Sequence, residues 1–367
     1  MKKSQVFFID FHTSSKQNIL SKLRKLLNQA GINNLDLNKK LVAIKIHFGE
    51  PGNMSYIRPN YAAVVVKMVQ AKDGLVFLTD ANTLYKGRRS NAVDHLQSAM
   101  ENGFNPIAVG CNVVIADGLK GTDSREIVIN QKHCKTAKIA TAIADADVVI
   151  SMNHFKGHEM AGFGGCLKNI GMGCGSVGGK LEMHSNSKPV VNWVNCTACR
   201  VCEKNCAHDA IHVNEKKVAE IDYDKCVGCG QCIAVCQFDA VQVHWEATRM
   251  QEKMAEYAYA ALKDKPAFHI NFLMDISPNC DCWDFNDSAI VPNIGILASC
   301  DPVAIDKASV DLVNQSPTNK YSMLGKHQHQ EKDKFTEIFP STDWKICIDY
   351  AEKIGLGTQQ YELITVD

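Results

Sequence analysis

The sequence predicts an α/β fold: a mostly parallel sheet with helices on both faces, interrupted by an inserted cysteine-rich module. Three observations carry this. Apolar runs of strand length alternate with stretches of helical periodicity, first up to about residue 190 and again after 246. Glycine and proline fall where those stretches would stop or start. Eight of the sixteen cysteines crowd between 196 and 236.

Taken in order, Val6–Phe11 is a short apolar run. Lys16–Ala30 places Ile19, Leu23, Leu26 and Leu27 at helical spacing and ends at Gly31, a natural helix stop. Leu41–Phe48 and Leu75–Thr79 read as strands around a helix at Tyr61–Ala71. Ser90–Glu101 reads as a serine-capped helix stopped at Gly103. Pro106–Val109 and Val113–Ala116 read as short strands, Ala137–Ala146 as a helix and Val148–Ser151 as a strand. Past the cysteines, Glu246–Lys263 is an amphipathic helix, and Phe268–Ile276 and Asn293–Ala298 are strands. Asp301-Pro302 opens a helix through Asn314, with proline in its first turn. Leu324–Glu337 is charged and weakly periodic, and is expected at the surface. The expected domains are one discontinuous α/β domain, 1–190 with 246–367, and the inserted module at 191–245.

The charge balance, 40 Lys+Arg against 40 Asp+Glu, argues against a general nucleic-acid or membrane-surface role. No apolar run approaches the ~18 residues of a membrane helix, and the start carries no secretory signal. A cytoplasmic protein is expected, and so many cysteines there point to metal or redox chemistry rather than disulfides.

Cys196-x2-Cys199-x2-Cys202-x3-Cys206 recurs 30 residues later as Cys226-x2-Cys229-x2-Cys232-x3-Cys236. The match extends to Asp209-Ala-Ile-His-Val213 against Asp239-Ala-Val-Gln-Val243, so this is an internal duplication. The pattern resembles the bacterial two-cluster [4Fe–4S] ferredoxin, an α+β module. In such modules three closely spaced thiolates wrap one cubane and the fourth points at the other. The resemblance implies one cluster on Cys196, Cys199, Cys202 and Cys236, and a second on Cys226, Cys229, Cys232 and Cys206. Ala207 and Gln237 stand where that family usually has proline, a change that removes no ligand.

Ligands of open parallel sheets bind beyond the carboxyl ends of the strands. Those ends collect Asp10 and His12, Lys45 and His47, Asp80 and Asn82, then His154, Lys156 and His158, and later Asp275 and Asp301. Lysine and histidine inside the apolar run Ile44-Lys-Ile-His-Phe48 are the hardest to explain as loop polarity. The stretch 154–175 holds two histidines, two lysines and seven glycines in 22 residues, too much glycine for a helix. Gly173-x-Gly175-x-x-Gly178 lacks the strand–helix context of a dinucleotide loop, and the run ending at Lys180 lacks the first glycine and the Ser/Thr of a P-loop. The reading left is a glycine-rich binding loop: Gly164, Gly165, Gly173 and Gly175 admit a ligand to the backbone, Lys156 and Lys168 add charge, and His154 and His158 do acid–base work. Lys45, His47 and Asp80 complete the expected catalytic set. A third metal on His154, His158, Cys280 and Cys282 is a further possibility by ligand type.

Lys156-Gly-His158, Gly164-Gly-Cys-Leu-Lys-Asn169, Gly179-Lys-Leu-Glu-Met-His184, Ile44-Lys-Ile-His-Phe-Gly49 and Cys300-Asp-Pro-Val-Ala-Ile-Asp306, together with the cysteine pair, resemble the iron–sulfur center family called Domain of Unknown Function 362. That resemblance implies an inserted two-cluster module and no particular reaction. The expected function is therefore electron transfer, with two [4Fe–4S] clusters serving a redox enzyme whose α/β domain holds an unknown small-molecule ligand. A redox adapter for a partner enzyme, and a binding or metal-handling protein with structural or sensing clusters, are the alternatives.

Overall fold

Helices in this chain begin where a side chain or a proline replaces the missing backbone partner. The computed structural model describes residues 3–84, 87–184, 188–226, 231–238, 240–243, 249–326 and 333–366. Asn18 accepts from the Ser21 amide at the start of α1, Ile19–Gln29, which buries Leu23, Leu26 and Leu27. Proline opens α2, Pro59–Gln70. Asn91, not the expected Ser90, caps α3, Ala92–Glu101, through the amides of Val93 and Asp94. Further along lie α4 (Cys166–Cys174), α5 (Val177–His184), α6 (Arg249–Leu262), α7 (Pro302–Gln315) and α8 (Lys345–Lys353).

The central sheet has eight strands: β1 (Ser4–Asp10), β2 (Leu41–Ile46), β3 (Leu75–Asp80), β4 (Asn112–Ile115), β5 (Val148–His154), β6 (Ala267–Leu273), β7 (Gly295–Ser299) and β8 (Tyr361–Thr365). Their order is β8-β1-β7-β6-β5-β2-β3-β4. All neighbours are parallel except those of β7, which runs against both β1 and β6. Alternate residues of β5 face opposite cores. Val148, Ile150 and Met152 pack with α1, α2 and α3, and Val149 packs with α4, α6, α7 and α8. This is the mostly parallel α/β sheet with helices on both faces that the alternation predicted.

Several local expectations are corrected. Pro106–Val109 is a short helix, because Asn105 accepts from the amides of Ile107 and Ala108. Within 137–146 the chain forms a strand, Thr136–Ala140, and then a short helix, Thr141–Ala144; the strand pairs with Ser124–Val128, a partner outside any local window. Leu324 and Phe335 are buried, so 324–337 is not simply surface; its residues 327–332 lie outside the described set, as do 246–248.

The glycine-rich run is helical over α4, and its glycines are the reason two helices meet there. A Cβ at Gly171 would stand 2.2 Å from the Met254 carbonyl oxygen of α6. Helix propensity alone predicts that Gly171→Ala stabilises by about 1 kcal/mol. Because the obstacle is backbone, overpacking should win and the variant should lose about 1–3 kcal/mol. A shift of the urea midpoint to lower concentration checks this; a shift upward would refute the packing account.

Residues 188–243 repeat their elements at the sequence offset of 30. Pro189–Val191 corresponds to Ala219–Ile221, Val201–Asn205 to the helix beginning at Gln231, and Ile211–Val213 to Val241–Val243. Each copy's first strand pairs with the other copy's second, antiparallel in both cases. The pairing extends to Asn192 N–Ala240 O and Asp222 N–Ala210 O, at 2.7 and 2.8 Å. The duplication thus folds as two halves that exchange strands around a small core of Cys202, Cys206, Ala210, Ile211, Ala219 and Val241.

Candidate functional site

After β2 and β3 the chain runs to one edge of the sheet at β4, then returns to place β5 on the other side of β2. That reversal opens a crevice at the carboxyl ends of β2 and β5, where ligands of open α/β sheets bind. A cavity of about 60 Å³ lies there. Lys45, His47, Asp80, His154, Lys156, His158 and Lys168, the seven side chains expected from sequence, all line it. Asp10, Asp275 and Asp301 do not: they pair with Lys22, pair with Arg58 and cap α7 respectively.

Of the four glycines expected to hold a cofactor, Gly173 alone lines the cavity, and its missing side chain makes room for Lys45, whose Nζ lies 2.7 Å from where a Cβ would be. Gly164 lets the stems of Lys156 and Lys168 run alongside it. Gly165 leaves space for Asp306, whose carboxylate accepts from the amides of Cys166 and Leu167 and so starts α4 from another helix. Gly175 packs against Met183 and Tyr257.

The polar groups form three sets. In the first, Lys45 Nζ reaches Asp80 Oδ1 at 2.8 Å and Asn169 Oδ1 at 2.6 Å, with the ion pair almost wholly buried. Burial would raise the Asp80 carboxyl, but Lys45 and His95 outweigh it and hold it well below the usual carboxylate range. Among the described residues Asp80 Oδ2 has no hydrogen-bond partner. In the second, Arg89 donates to Glu50 at 2.6 Å and lies 2.9 Å from His47 Nε2. Burial and then the Arg89 charge push His47 well below the ordinary imidazole range, so this ring is neutral.

The third set turns on Asp281. His154 Nδ1 lies 2.9 Å from both its oxygens, and Nε2 lies 2.8 Å from the Met274 carbonyl. Both ring nitrogens face acceptors. Lys156 Nζ adds a second cation 3.3 Å from Asp281. His154 therefore positions a buried carboxylate and has no nitrogen left for substrate or metal. His158 differs: its Nδ1 accepts from the amides of Met160 and Ala161, which leaves Nε2 as the donor. Beside it, Lys168 Nζ donates to Cys280 Sγ at 3.4 Å. Among the described residues no group of three or more His, Cys, Asp or Glu side chains converges on a point as a metal site.

Sequence reasoning missed Arg89, Asn169 and Lys180 as cavity walls, and put Cys282 beside His154 and His158 only as a possible metal ligand. Arg89 comes from the loop after β3, and Lys180 was considered in a failed P-loop and in the family signature. Asn169 was visible as the neighbour of Lys168 one turn from Gly173.

A second cavity is lined by Cys196, Cys199, Cys202 and Cys236, the first cysteine set expected from sequence. Ala198 and Arg200, between the first three, adopt left-handed φ of 56° and 62°, which curls the loop around its centre. Backbone amides approach three cysteine sulfurs at 3.3 Å: Ala219 to Cys196, Ala240 to Cys236 and Ala210 to Cys206. Of the second set, Cys206, Cys226 and Cys232 are described and Cys229 lies outside the described residues.

A family model for a domain of unknown function, DUF362, matches residues 42–311 of the 367. The chain belongs to the DUF362 family. No curated protein matches it. Among solved structures, the lactate racemase apoprotein from Thermoanaerobacterium thermosaccharolyticum is similar at 14% identity and a TM-score of 0.42, over 74% of this chain and 52% of that one. A Thermotoga maritima protein is similar at 12% identity and a TM-score of 0.33, over 69% and 50%. The chain spans about half the length of each. The DUF362 match covers both cavities: the crevice of β2 and β5 and all eight repeated cysteines fall inside it. No helix among the described residues is long and apolar enough to cross a membrane.

Proposed function

We propose that this chain is an iron–sulfur redox protein whose α/β part binds a small anionic molecule in the crevice of β2 and β5. The carrying observation is the cysteine duplication, with one complete set of four lining a single cavity. A cubane spreads its four thiolates around a group several ångströms across, so convergence on one point is not the test of fit. The residues present suit such a group: four thiolates around one space, a curled loop, and amide donors that stabilise anionic sulfur and tune potential. Cys196, Cys199, Cys202 and Cys236 would hold one cluster, and Cys206, Cys226, Cys229 and Cys232 the other. Bound there, these groups supply one-electron transfer.

The crevice supplies the rest. Lys45, Arg89, Lys156, Lys168 and Lys180 line it against a single lining carboxylate, Asp80. Although Asp80, Glu50 and Asp281 pair Lys45, Arg89 and Lys156, the latter two carboxylates lie behind the lining, so the wall that a ligand meets is mainly cationic and suits an anion. His158, with Nε2 as donor, and neutral His47, held between the Gly49 amide and Arg89, complete the polar wall of the crevice.

The adapter reading keeps one observation of its own. Trp193, Val194, Val201, Tyr223 and Phe238, all in the cysteine-rich segment, are exposed. Apolar side chains exposed in one segment suit a docking protein partner.

Anaerobic purification with iron and sulfide analysis tests the proposal. About eight irons and eight sulfides per chain are expected from two cubanes. Cys199→Ser should remove about half and leave the second cluster visible by electron paramagnetic resonance. Stoichiometric zinc without sulfide would overturn the reading.

A further inference from the structure

Cys280 and Cys282 belong to no expected cluster, yet they stand beside the crevice. The loop that carries them is a turn closed by Trp283 N to Cys280 O at 3.2 Å, with Asp281 and Cys282 at its centre. Asp281 is anchored by His154 and Lys156, so the turn is fixed in place. Cys280 is fully buried, whereas Cys282 is half-buried and lines the cavity. Lys168 Nζ donates to Cys280 Sγ at 3.4 Å. Cys282 and His158 are the other groups whose proximity acts on that sulfur.

The geometry points to a redox-active dithiol, Cys280 with Cys282, in the wall of the crevice, exchanging with small disulfides. The Cys282 thiol, with the Lys168 charge and His158, holds Cys280 well below the ordinary thiol range despite burial. Cys282 keeps its proton and is pushed well above that range by the same contact and by burial. The reduced pair is thus one thiolate and one thiol sharing a proton, with Lys168 balancing the charge. Burial of Cys280 and exposure of Cys282 to the cavity then divide the roles.

A small disulfide enters the crevice and meets Cys282. The Cys282 proton passes to the Cys280 thiolate as Cys282 sulfur bonds to one sulfur of the disulfide and the other leaves as a thiolate. Cys280 then gives its proton to that thiolate and attacks the Cys282 sulfur, expelling the second thiolate. The balance is one thiolate, one thiol and one disulfide giving a protein disulfide, one small thiol and one small thiolate. Two electrons pass from the pair to the disulfide, and no other reactant is needed. Nothing in this step depends on the clusters. The preference for an anionic disulfide rests on the cationic crevice proposed above.

The test uses the protein purified anaerobically, treated with dithiodiglycolate (a small dianionic disulfide) or with cystamine (a dicationic one). After alkylation of remaining thiols, mass spectrometry reads the peptide that contains Cys280, Cys282 and the exposed Cys300. The expected product has lost two hydrogens between Cys280 and Cys282, with Cys300 alkylated. Cys280→Ala should trap a mixed disulfide on Cys282, and Cys282→Ala should leave Cys280 unmodified. Lys168→Met should slow oxidation roughly tenfold through loss of thiolate, and Lys168→Arg should restore most of the rate. A Cys280 and Cys282 pair that stays fully alkylated while Cys300 reacts would overturn the dithiol. Equal rates with the two disulfides would leave the dithiol standing and count against the anionic crevice.

Discussion

Lys45→Met should destabilise the protein by about 3–5 kcal/mol, because it leaves the Asp80 carboxylate buried without its closest cation. Lys45 Nζ lies 2.8 Å from Asp80 Oδ1, and both side chains are almost free of solvent. The remaining partners are poorer: Arg89 lies 3.8 Å from Asp80 Oδ2 and is already bonded to Glu50, and His95, pushed below the ordinary imidazole range by burial, lies at 3.7 Å. Methionine matches the lysine stem in length, so the loss reports charge rather than a hole. Asp80→Asn added to Lys45→Met removes the stranded charge and should recover at least half of the loss, a coupling that a double-mutant cycle in urea measures. A loss below about 1 kcal/mol for the single variant would mean that the pair behaves like a surface bridge, against its burial. In the same experiment the crevice loses one of its cations, so a co-purified anion should be lost too.

Lys45 and His47 were legible in the sequence for the reason that makes this prediction large: ionisable side chains inside an apolar strand need a partner or a ligand. Asp80, His154, Lys156 and His158 were legible from their places at strand ends. What they do there was not. His154 looks like an acid–base residue until Asp281, 127 residues away, takes its Nδ1. Arg89 and Cys282 reach the same cavity from loops whose positions no local pattern specifies. The strand alternation gave the sheet but not the direction of β7, since a fully buried run of five residues reads the same either way. α4 escaped notice because glycine lowers helix propensity locally, while the benefit, close contact with Met254, lies on α6. The cysteine duplication was the opposite case. Its spacing is set by local loop geometry, and the 30-residue offset reappears in every strand and helix of the segment.

Asp281→Asn should destabilise the protein by about 3–5 kcal/mol at neutral pH, and the deficit should hold between pH 5 and 8 and shrink only in stronger acid. Burial alone would raise the Asp281 carboxyl, but His154 and Lys156 outweigh it and hold it well below the usual carboxylate range. A carboxyl depressed in the folded state binds its proton more readily when unfolded. Its stabilising effect is therefore complete above the unfolded value, about 3.9, and disappears as pH falls through the lower folded value. Between pH 5 and 8 the wild-type contribution from this group is flat. In the variant the His154 ring and Lys156 face an amide instead of an anion. The gap between the two proteins should therefore stay constant from pH 8 to pH 5 and narrow below about pH 4, where the unfolded carboxyl of the wild type takes its proton. Urea midpoints at pH 8, 5 and 3 check the sign; a gap that does not narrow between pH 5 and pH 3 would show that the Asp281 carboxyl is not depressed in the native protein. Because Asp281 sits between Cys280 and Cys282, the variant also loosens the turn that places both sulfurs. Loss of fold and loss of dithiol chemistry separate by temperature: well below the variant's melting point only the second should remain.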